Sequence, residues 1–245
     1  MANLVVDEGN TLCKIAVLDK NEVLCEASAK EFDMAMVEQM LSKHRLESAI
    51  VASTRAGAER ICEELRTKVA TVLHFTSQTE VPIGVDYASR QTLGTDRIAV
   101  AVGVVCEMGI RDALIVDMGS AITFDVVEDG AFKGGNISPG VSMRFRALHE
   151  FTASLPLCEA KEPNNRFGSS TAEAIEQGVM QGILHEIEGY VDRISAKNEK
   201  KSIIFCGGDA ESFVNRIKNA IFAPRKLMFT GLNRILEYNV SKDNK

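Results

Sequence analysis

Apolar residues recur along the chain in two alternating rhythms, short unbroken runs and then helical spacing. NLVV at 3–6 stops at Asp7-Glu8-Gly9-Asn10-Thr11; KIAVL at 14–18 and EVLCEA at 22–27 follow, joined by the polar turn Asp19-Lys20-Asn21. These runs are predicted strands. Residues 32–45 carry Met36, Val37, Met40 and Leu41 at helical spacing, and AIVAS at 49–53 reads as a strand. Residues 57–69 place Ile61, Leu65 and Val69 on one helical face; a strand at 71–75 and a helix at 95–108 close this half.

The second half repeats the plan. Strands are predicted at 112–117, 121–127 and 131–134, with Asp129-Gly130 as a hairpin turn. Helices at 141–151 and 171–195 precede a strand at 202–206, a helix at 209–219, a strand at 221–224 and a last helix at 230–239. Residues 5–19 align without gaps on 115–129, an offset of 110 residues that sets Asp7 on Asp117 and Gly9 on Gly119. The match falls at the same turn of the same strand order, which points to an internal duplication.

Composition narrows the partners. The 245 residues are 45% hydrophobic and 25% charged, an ordinary globular mixture. Lys plus Arg number 28 against 34 Asp plus Glu, a net charge of −6, so a non-specific grip on nucleic acid or an anionic membrane is not expected. An anionic small substrate would need a few placed cations, backbone N–H groups or a metal. No apolar run approaches the ~18–20 residues of a membrane helix, and the opening MANLVVDEGN does not read as a signal peptide. Six cysteines without a C-x-x-C pair suggest reduced thiols in a cytoplasmic protein rather than a zinc or redox site.

The two D-x-G turns carry the first chemistry. In each, Asp ends an apolar strand ahead of a Gly and a small polar residue, Asn10-Thr11 or Ser120. Gly allows close approach of a ligand to the backbone, N–H groups and hydroxyls can cradle phosphate oxygens, and Asp can hold an ion or its water. Alternatively, Asp and Gly only terminate strands; duplication at matched positions favours the phosphate reading. FCGGDA at 205–210 is a strand, two glycines and a helix start, where adenosine or its phosphate could rest. Residues 134–140, GGNISPG, fit either a long turn or a shaped backbone wall beside a phosphate.

A wider set of motifs resembles the type III pantothenate kinases of the sugar kinase, Hsp70 and actin superfamily. Its members are Asp7-x-Gly9-Asn10-Thr11, Tyr87 with Leu93-Gly94-Thr95-Asp96-Arg97, and Asp117-x-Gly119-Ser120-Ala121-x-Thr123-x-Asp125. Gly134-Gly135-x-Ile137-x-Pro139-Gly140, Thr152-Ala153-x-Leu155-Pro156 and Thr171-x-Glu173-Ala174-x-x-x-Gly178 complete it. Arg90 stands where the family usually has Pro, Ser120 where it has Thr, and Cys206 where its last glycine patch begins with Thr.

The resemblance implies an α/β protein of two duplicated actin-like (ribonuclease H-like) ATPase domains, 1–110 and 111–245, with a nucleotide cleft between them. It implies ATP-dependent phosphorylation of pantothenate, the first step towards coenzyme A. Asp96 would accept the proton of the pantothenate hydroxyl; physically, Thr95 as N-cap would put Asp96 in the first helical turn, which favours the ionised carboxylate. Tyr87, Gly94, Thr95, Asp96, Arg97 and Thr171 would bind pantothenate, the Arg97 fork matching its carboxylate. Ser170-x-x-Glu173 also forms a capping box that accounts for Thr171 by itself.

Asp7, Glu8, Gly9, Asn10, Thr11, Leu12, Cys13 and Lys14 would line the ATP phosphates together with Ser120. Asp117 would hold a monovalent cation, K⁺ or NH₄⁺, beside Mg²⁺, because several anionic oxygens converge in an acidic protein. The stripe Ile175, Val179, Ile183, Ile187, Val191 and Ile194 reads as core, while Gly178 and Gly182 would let another helix approach. A homodimer with Thr171 reaching the neighbouring pocket is expected, as is a mobile loop at 158–170. The rival readings are another superfamily kinase or phosphohydrolase, and a silent regulator that keeps the fold. Intact Tyr87 and Gly94–Arg97 argue against the first, and the presence of Asp96 and Arg97 against the second.

Overall fold

β1 (Ala2–Glu8) buries Leu4, Val5 and Val6 completely, as an unbroken apolar run does when both faces of a sheet are covered. β2 (Cys13–Asp19) and β3 (Glu22–Ala29) follow it antiparallel, while β4 (Leu46–Ser53) and β5 (Thr71–Phe75) add parallel on the other side. The sheet order is β3-β2-β1-β4-β5. The crossovers are α1 (Met34–Leu41), N-capped by the Asp33 carboxylate, and α2 (Ala58–Arg66). This is a computed structural model, and it describes residues 2–164, 166–196, 201–223 and 226–243.

β7 (Ala113–Met118), β8 (Ala121–Glu128), β9 (Ala131–Pro139), β10 (Ser202–Cys206) and β11 (Ala220–Phe222) build a second mixed sheet. Its order, β11-β10-β7-β8-β9, is that of the first sheet again, with β6 (Gly84–Val85) beyond β9. The register refines the gapless alignment. Asp7 pairs with Lys14, but Asp117 pairs with Thr123, so the first turn is one residue longer and the repeats slip by one beyond it. Buried Ile15 therefore corresponds to buried Phe124.

Two compact units result, Met1–Arg111 with Glu128–Lys133 and Arg225–Lys245, and Asp112–Val127 with Gly134–Pro224. A plain division at 110/111 differs from this over Glu128–Lys133 and at the C-terminus, where α7 (Leu227–Asp243) packs within the first unit. Leu232, Ile235 and Leu236 of α7 are fully buried there. Asn233 donates to the Lys20 carbonyl at 2.7 Å and accepts from the Asn3 amide at 2.9 Å, satisfying a buried polar pair.

Several boundaries moved. α3 (Thr95–Val102) passes into a π-helical turn, Gly103–Glu107, where one regular helix was predicted. β9 runs on through Gly134 and Gly135 to Pro139, so the GGNISPG segment is strand rather than long turn. α4 (Val141–Glu150) follows directly, and α6 shrinks to Glu211–Val214. Asn165, within the predicted loop, and Pro224, at the predicted end of the last strand, lie outside the described residues.

The 158–170 loop, expected to be mobile, is tied to α5 (Thr171–Ser195). Gln177 accepts from the Asn164 N–H at 3.0 Å, Gln181 donates to the Arg166 carbonyl at 2.9 Å, and Lys161 pairs with the buried Glu176 carboxylate at 2.8 Å. Ser170 caps α5 by accepting the Glu173 N–H. Among the described residues no helix is long and apolar enough to cross a membrane.

Candidate active site

In the first unit the chain reverses between β1 and β2 through a tight turn, closed by the Gly9 N–H on the Leu12 carbonyl at 3.0 Å. Asn10, Thr11, Leu12 and Lys14 are exposed there, while Glu8 and Cys13 are buried. Glu8 accepts the Ser53 hydroxyl at 2.6 Å, so its carboxylate braces the turn from beneath. Arg55 fastens the other side, donating to the Asn10 carbonyl at 2.7 Å and the Lys30 carbonyl at 3.0 Å. Sequence reasoning passed over Arg55. Its signal was positional, since Ser53-Thr54-Arg55 follows the strand paired parallel with β1.

Asp7 lies opposite Lys14 in the ladder. Its carboxyl keeps partial solvent access but is crowded by protein, and desolvation lifts it to about 6; Lys14 pulls it down and the charge of Asp96 pushes it up. Asp7, Lys14 and Asp96 therefore share one electrostatic neighbourhood. Burial, with Glu8 and Asp7 nearby, pushes the Cys13 thiol up to about 11, which leaves it a protonated packing group.

Gly94, not Thr95, caps α3, and no side chain caps it; Thr95 is the first helical residue. The Thr95 hydroxyl is thus not the cap predicted. Asp96 stands in the first turn as expected, its Oδ1 accepting the Arg97 N–H at 2.8 Å, one of the N–H groups a helix start leaves unpaired. A side chain at Gly94 would collide with the same Asp96 oxygen. Arg97 is 6% exposed, with its guanidinium carbon 5.9 Å from the Tyr87 ring centre. Arg90, in place of the family's usual Pro, donates to the carbonyls of Ser77 at 2.9 Å and Thr79 at 3.1 Å, so hydrogen bonds fix a loop that Pro would stiffen.

In the second unit two backbone segments clasp the D-x-G-S turn. The Gly140 N–H donates to the Ser120 carbonyl at 3.2 Å, and a Cβ on Gly140 would strike the carbonyls of Gly119 and Ser120. From the segment that follows β10, the Asp209 N–H reaches the Met118 carbonyl at 3.1 Å. Gly207, at φ +92°, lies so close that a Cβ would come 2.5 Å from the Asp117 carboxylate. Cys206 pairs with Asp117 across the ladder, and burial, then the Asp117 charge and a hydrogen bond to it, push its thiol well up. The expected glycine patches thus converge on the turn that holds Asp117 and Ser120.

That turn offers a carboxylate among backbone oxygens, a donor set of the kind that suits a hard cation. Among the described residues no group of three or more His, Cys, Asp or Glu could hold a metal, so any ion here would rely on backbone and ligand oxygens. Thr171 sits exposed at the first position of α5 in the second unit, whereas Tyr87 and Gly94–Arg97 belong to the first.

A family model described as type III pantothenate kinase matches residues 3–193. The chain is 36% identical to a type III pantothenate kinase of Phocaeicola vulgatus over 238 residues, covering 97% of this chain and 98% of that one. It is 38% identical to one of Porphyromonas gingivalis over 242 residues, covering 97% and 99%. Among solved structures, it resembles a Campylobacter jejuni protein provisionally assigned to the Baf family of transcriptional activators, with TM-score 0.64, 23% identity and 97% and 99% coverage. It also resembles the activator of 2-hydroxyisocaproyl-CoA dehydratase from Clostridium difficile with bound ADPNP, with TM-score 0.56, 12% identity and 100% and 98% coverage. At those identities the likeness establishes the fold, that of the actin-like ATPases and sugar kinases.

Proposed function

The chain belongs to the type III pantothenate kinase family and phosphorylates pantothenate at the expense of ATP in coenzyme A biosynthesis, and we propose the following division of labour among its residues. Asp96 accepts the proton as the pantothenate hydroxyl oxygen bonds to the γ-phosphorus and the bond to the ADP oxygen breaks. Through a loose transition state this needs positioning more than a strong base. Arg97 pairs with the pantothenate carboxylate, and Tyr87, Gly94, Thr95 and Thr171 complete the substrate contacts. The Asp7–Lys14 turn supplies N–H groups, the Asn10 and Thr11 side chains and the Lys14 charge to the phosphates, and Ser120 adds a hydroxyl.

One observation carries this reading: Asp96, beside buried Arg97, is the electrostatic neighbour of Asp7 on the glycine turn. Both residues belong to the first unit, which supports an acceptor-side carboxylate acting beside a phosphate-side turn. Mg²⁺ with the phosphates and a monovalent cation at Asp117 would neutralise anionic oxygen when bound. The repeated strand order supports reading 1–110 and 111–245 as duplicated halves. Six free thiols suit a reducing cytoplasm. A homodimer is supported by α5, where among the described residues nothing outside the helix's own backbone lies within 4 Å of a Cβ on Gly178 or Gly182. The test is ATP consumption measured with and without pantothenate. Pantothenate-dependent turnover that falls about 10²–10⁴-fold in Asp96→Asn supports the assignment, and near wild-type turnover there refutes the role of Asp96.

A further inference from the structure

Phe132 is completely buried at the start of β9, and its ring meets both aromatic and cationic members of the substrate group. The Arg97 guanidinium carbon is 5.5 Å from the Phe132 ring centre, and the Tyr87 ring meets Phe132 edge-on at 5.9 Å and 67°. Both contacts lie in the range where a ring quadrupole attracts a cation or a ring edge. The Phe132 backbone is fixed as well. It pairs with Val85 of β6, and its carbonyl accepts the Asp86 N–H at 2.8 Å. The neighbouring Lys133 pairs with Asp86 at 3.4 Å.

We propose that Phe132 is a positioning residue: its fixed ring holds the Arg97 guanidinium and the Tyr87 ring in the orientation that selects a carboxylate over an uncharged amide at that end of the substrate. The inference rests on the reading that Arg97 takes the pantothenate carboxylate. A long Arg side chain has many rotamers, and a fork that must meet a planar carboxylate gains affinity when it is held in advance. Two substrate residues leaning on one immobile ring supply that restraint. The two-residue strand β6, otherwise too short to matter to the sheet, then serves to seat Tyr87 against Phe132.

The experiment measures dissociation constants for pantothenate and for its carboxamide, pantothenamide, by calorimetry on the wild type, Phe132→Leu, Phe132→Met, Phe132→Tyr and Arg97→Ala, with steady-state kinetics on pantothenate alongside. Leu and Met keep apolar volume without a ring, so either one that folds serves. The expected result is a fall of about 3- to 30-fold in the preference for acid over amide, the range of a lost cation–π contact. It should enter through the KM for pantothenate rather than kcat, and Phe132→Tyr should restore it. A purely structural role would change both ligands alike and leave the preference untouched. If Arg97→Ala collapses the preference while the Leu and Met variants keep it, the inference fails and the Arg97 reading stands. If Arg97→Ala itself keeps the preference, the Arg97 reading fails and takes the inference with it.

Discussion

Asp7 at the end of β1 and Asp96 in the first turn of α3 are like-charged neighbours, and the negative charge of Asp96 adds to burial in raising the Asp7 carboxyl to about 6 against the pull of Lys14. The raised value makes Asp7 a proton-binding group of the folded state. Its favourable contribution is complete below the unfolded value of 3.8 and is lost as pH rises through about 6. Above that pH the protein carries an incompletely compensated charge, the condition a phosphate-bound cation would relieve.

The first prediction follows from that sign. Asp7→Asn should equal the wild type in stability near about pH 3 and exceed it by about 1–3 kcal/mol at pH 8, while losing activity. Urea denaturation of both proteins across this interval is the check. A stability difference that does not grow with pH would show that Asp7 is not raised.

Asp96 and Gly94 make the second. Asp96→Asn should fold and bind ATP with kcat lowered about 10²–10⁴-fold, the usual effect of removing a general base. Gly94→Ala inserts a methyl against the Asp96 carboxylate oxygen. That oxygen ends a movable side chain, so melting temperature should change little while kcat falls. Near wild-type turnover in Asp96→Asn would remove Asp96 from the chemistry.

The third concerns the Asp117 turn. Activity should require potassium or ammonium and fail in sodium alone, and Asp117→Ala should abolish both the dependence and most of the rate. Gly207→Ala combines a φ of +92° with a Cβ only 2.5 Å from the Asp117 carboxylate. Strain and collision together should cost about 2–4 kcal/mol, roughly 5–15 °C in melting temperature. Equal rates in sodium and potassium for the wild type would eliminate the cation role.

The strand skeleton was readable because its central runs, in β1, β2, β4 and β7, are largely apolar on both faces, and the duplicated D-x-G turns anchored its order. What escaped the sequence was decided by contacts between distant segments. β6 is only Gly84–Val85 and carries no periodicity; its place depends on pairing with Ala131 and Phe132. α7 joined the first unit through Asn3 and Lys20, partners that helical spacing cannot name. Thr95 resembled an N-cap, yet it is already the first helical residue and the cap position falls to Gly94. Arg55 and Phe132 belong to no phosphate or substrate motif. Their significance lies in the carbonyls and side chains they touch, which only the folded chain brings within reach.

The last prediction tests assembly. Gly178 and Gly182 recur one helical turn apart on α5, and among the described residues nothing outside the backbone of that helix comes within 4 Å of a Cβ on either. Elsewhere in the same unit Phe151 is 87% and Leu157 58% exposed, large apolar groups that burial against a second copy would remove from water. Thr171 opens the same helix, its position already explained by the Ser170 cap, so a substrate contact by Thr171 gains sense if a symmetric pair carries it to a neighbouring pocket. Gly178→Leu fills open space and should leave the fold of the single chain intact. It should weaken association and raise the KM for pantothenate more than that for ATP, since the Asp7–Lys14 turn is not on α5. Light scattering joined to kinetics over a dilution series measures both. A fully active monomer at every dilution would dismiss the shared pocket while leaving the kinase chemistry of Asp96 in place.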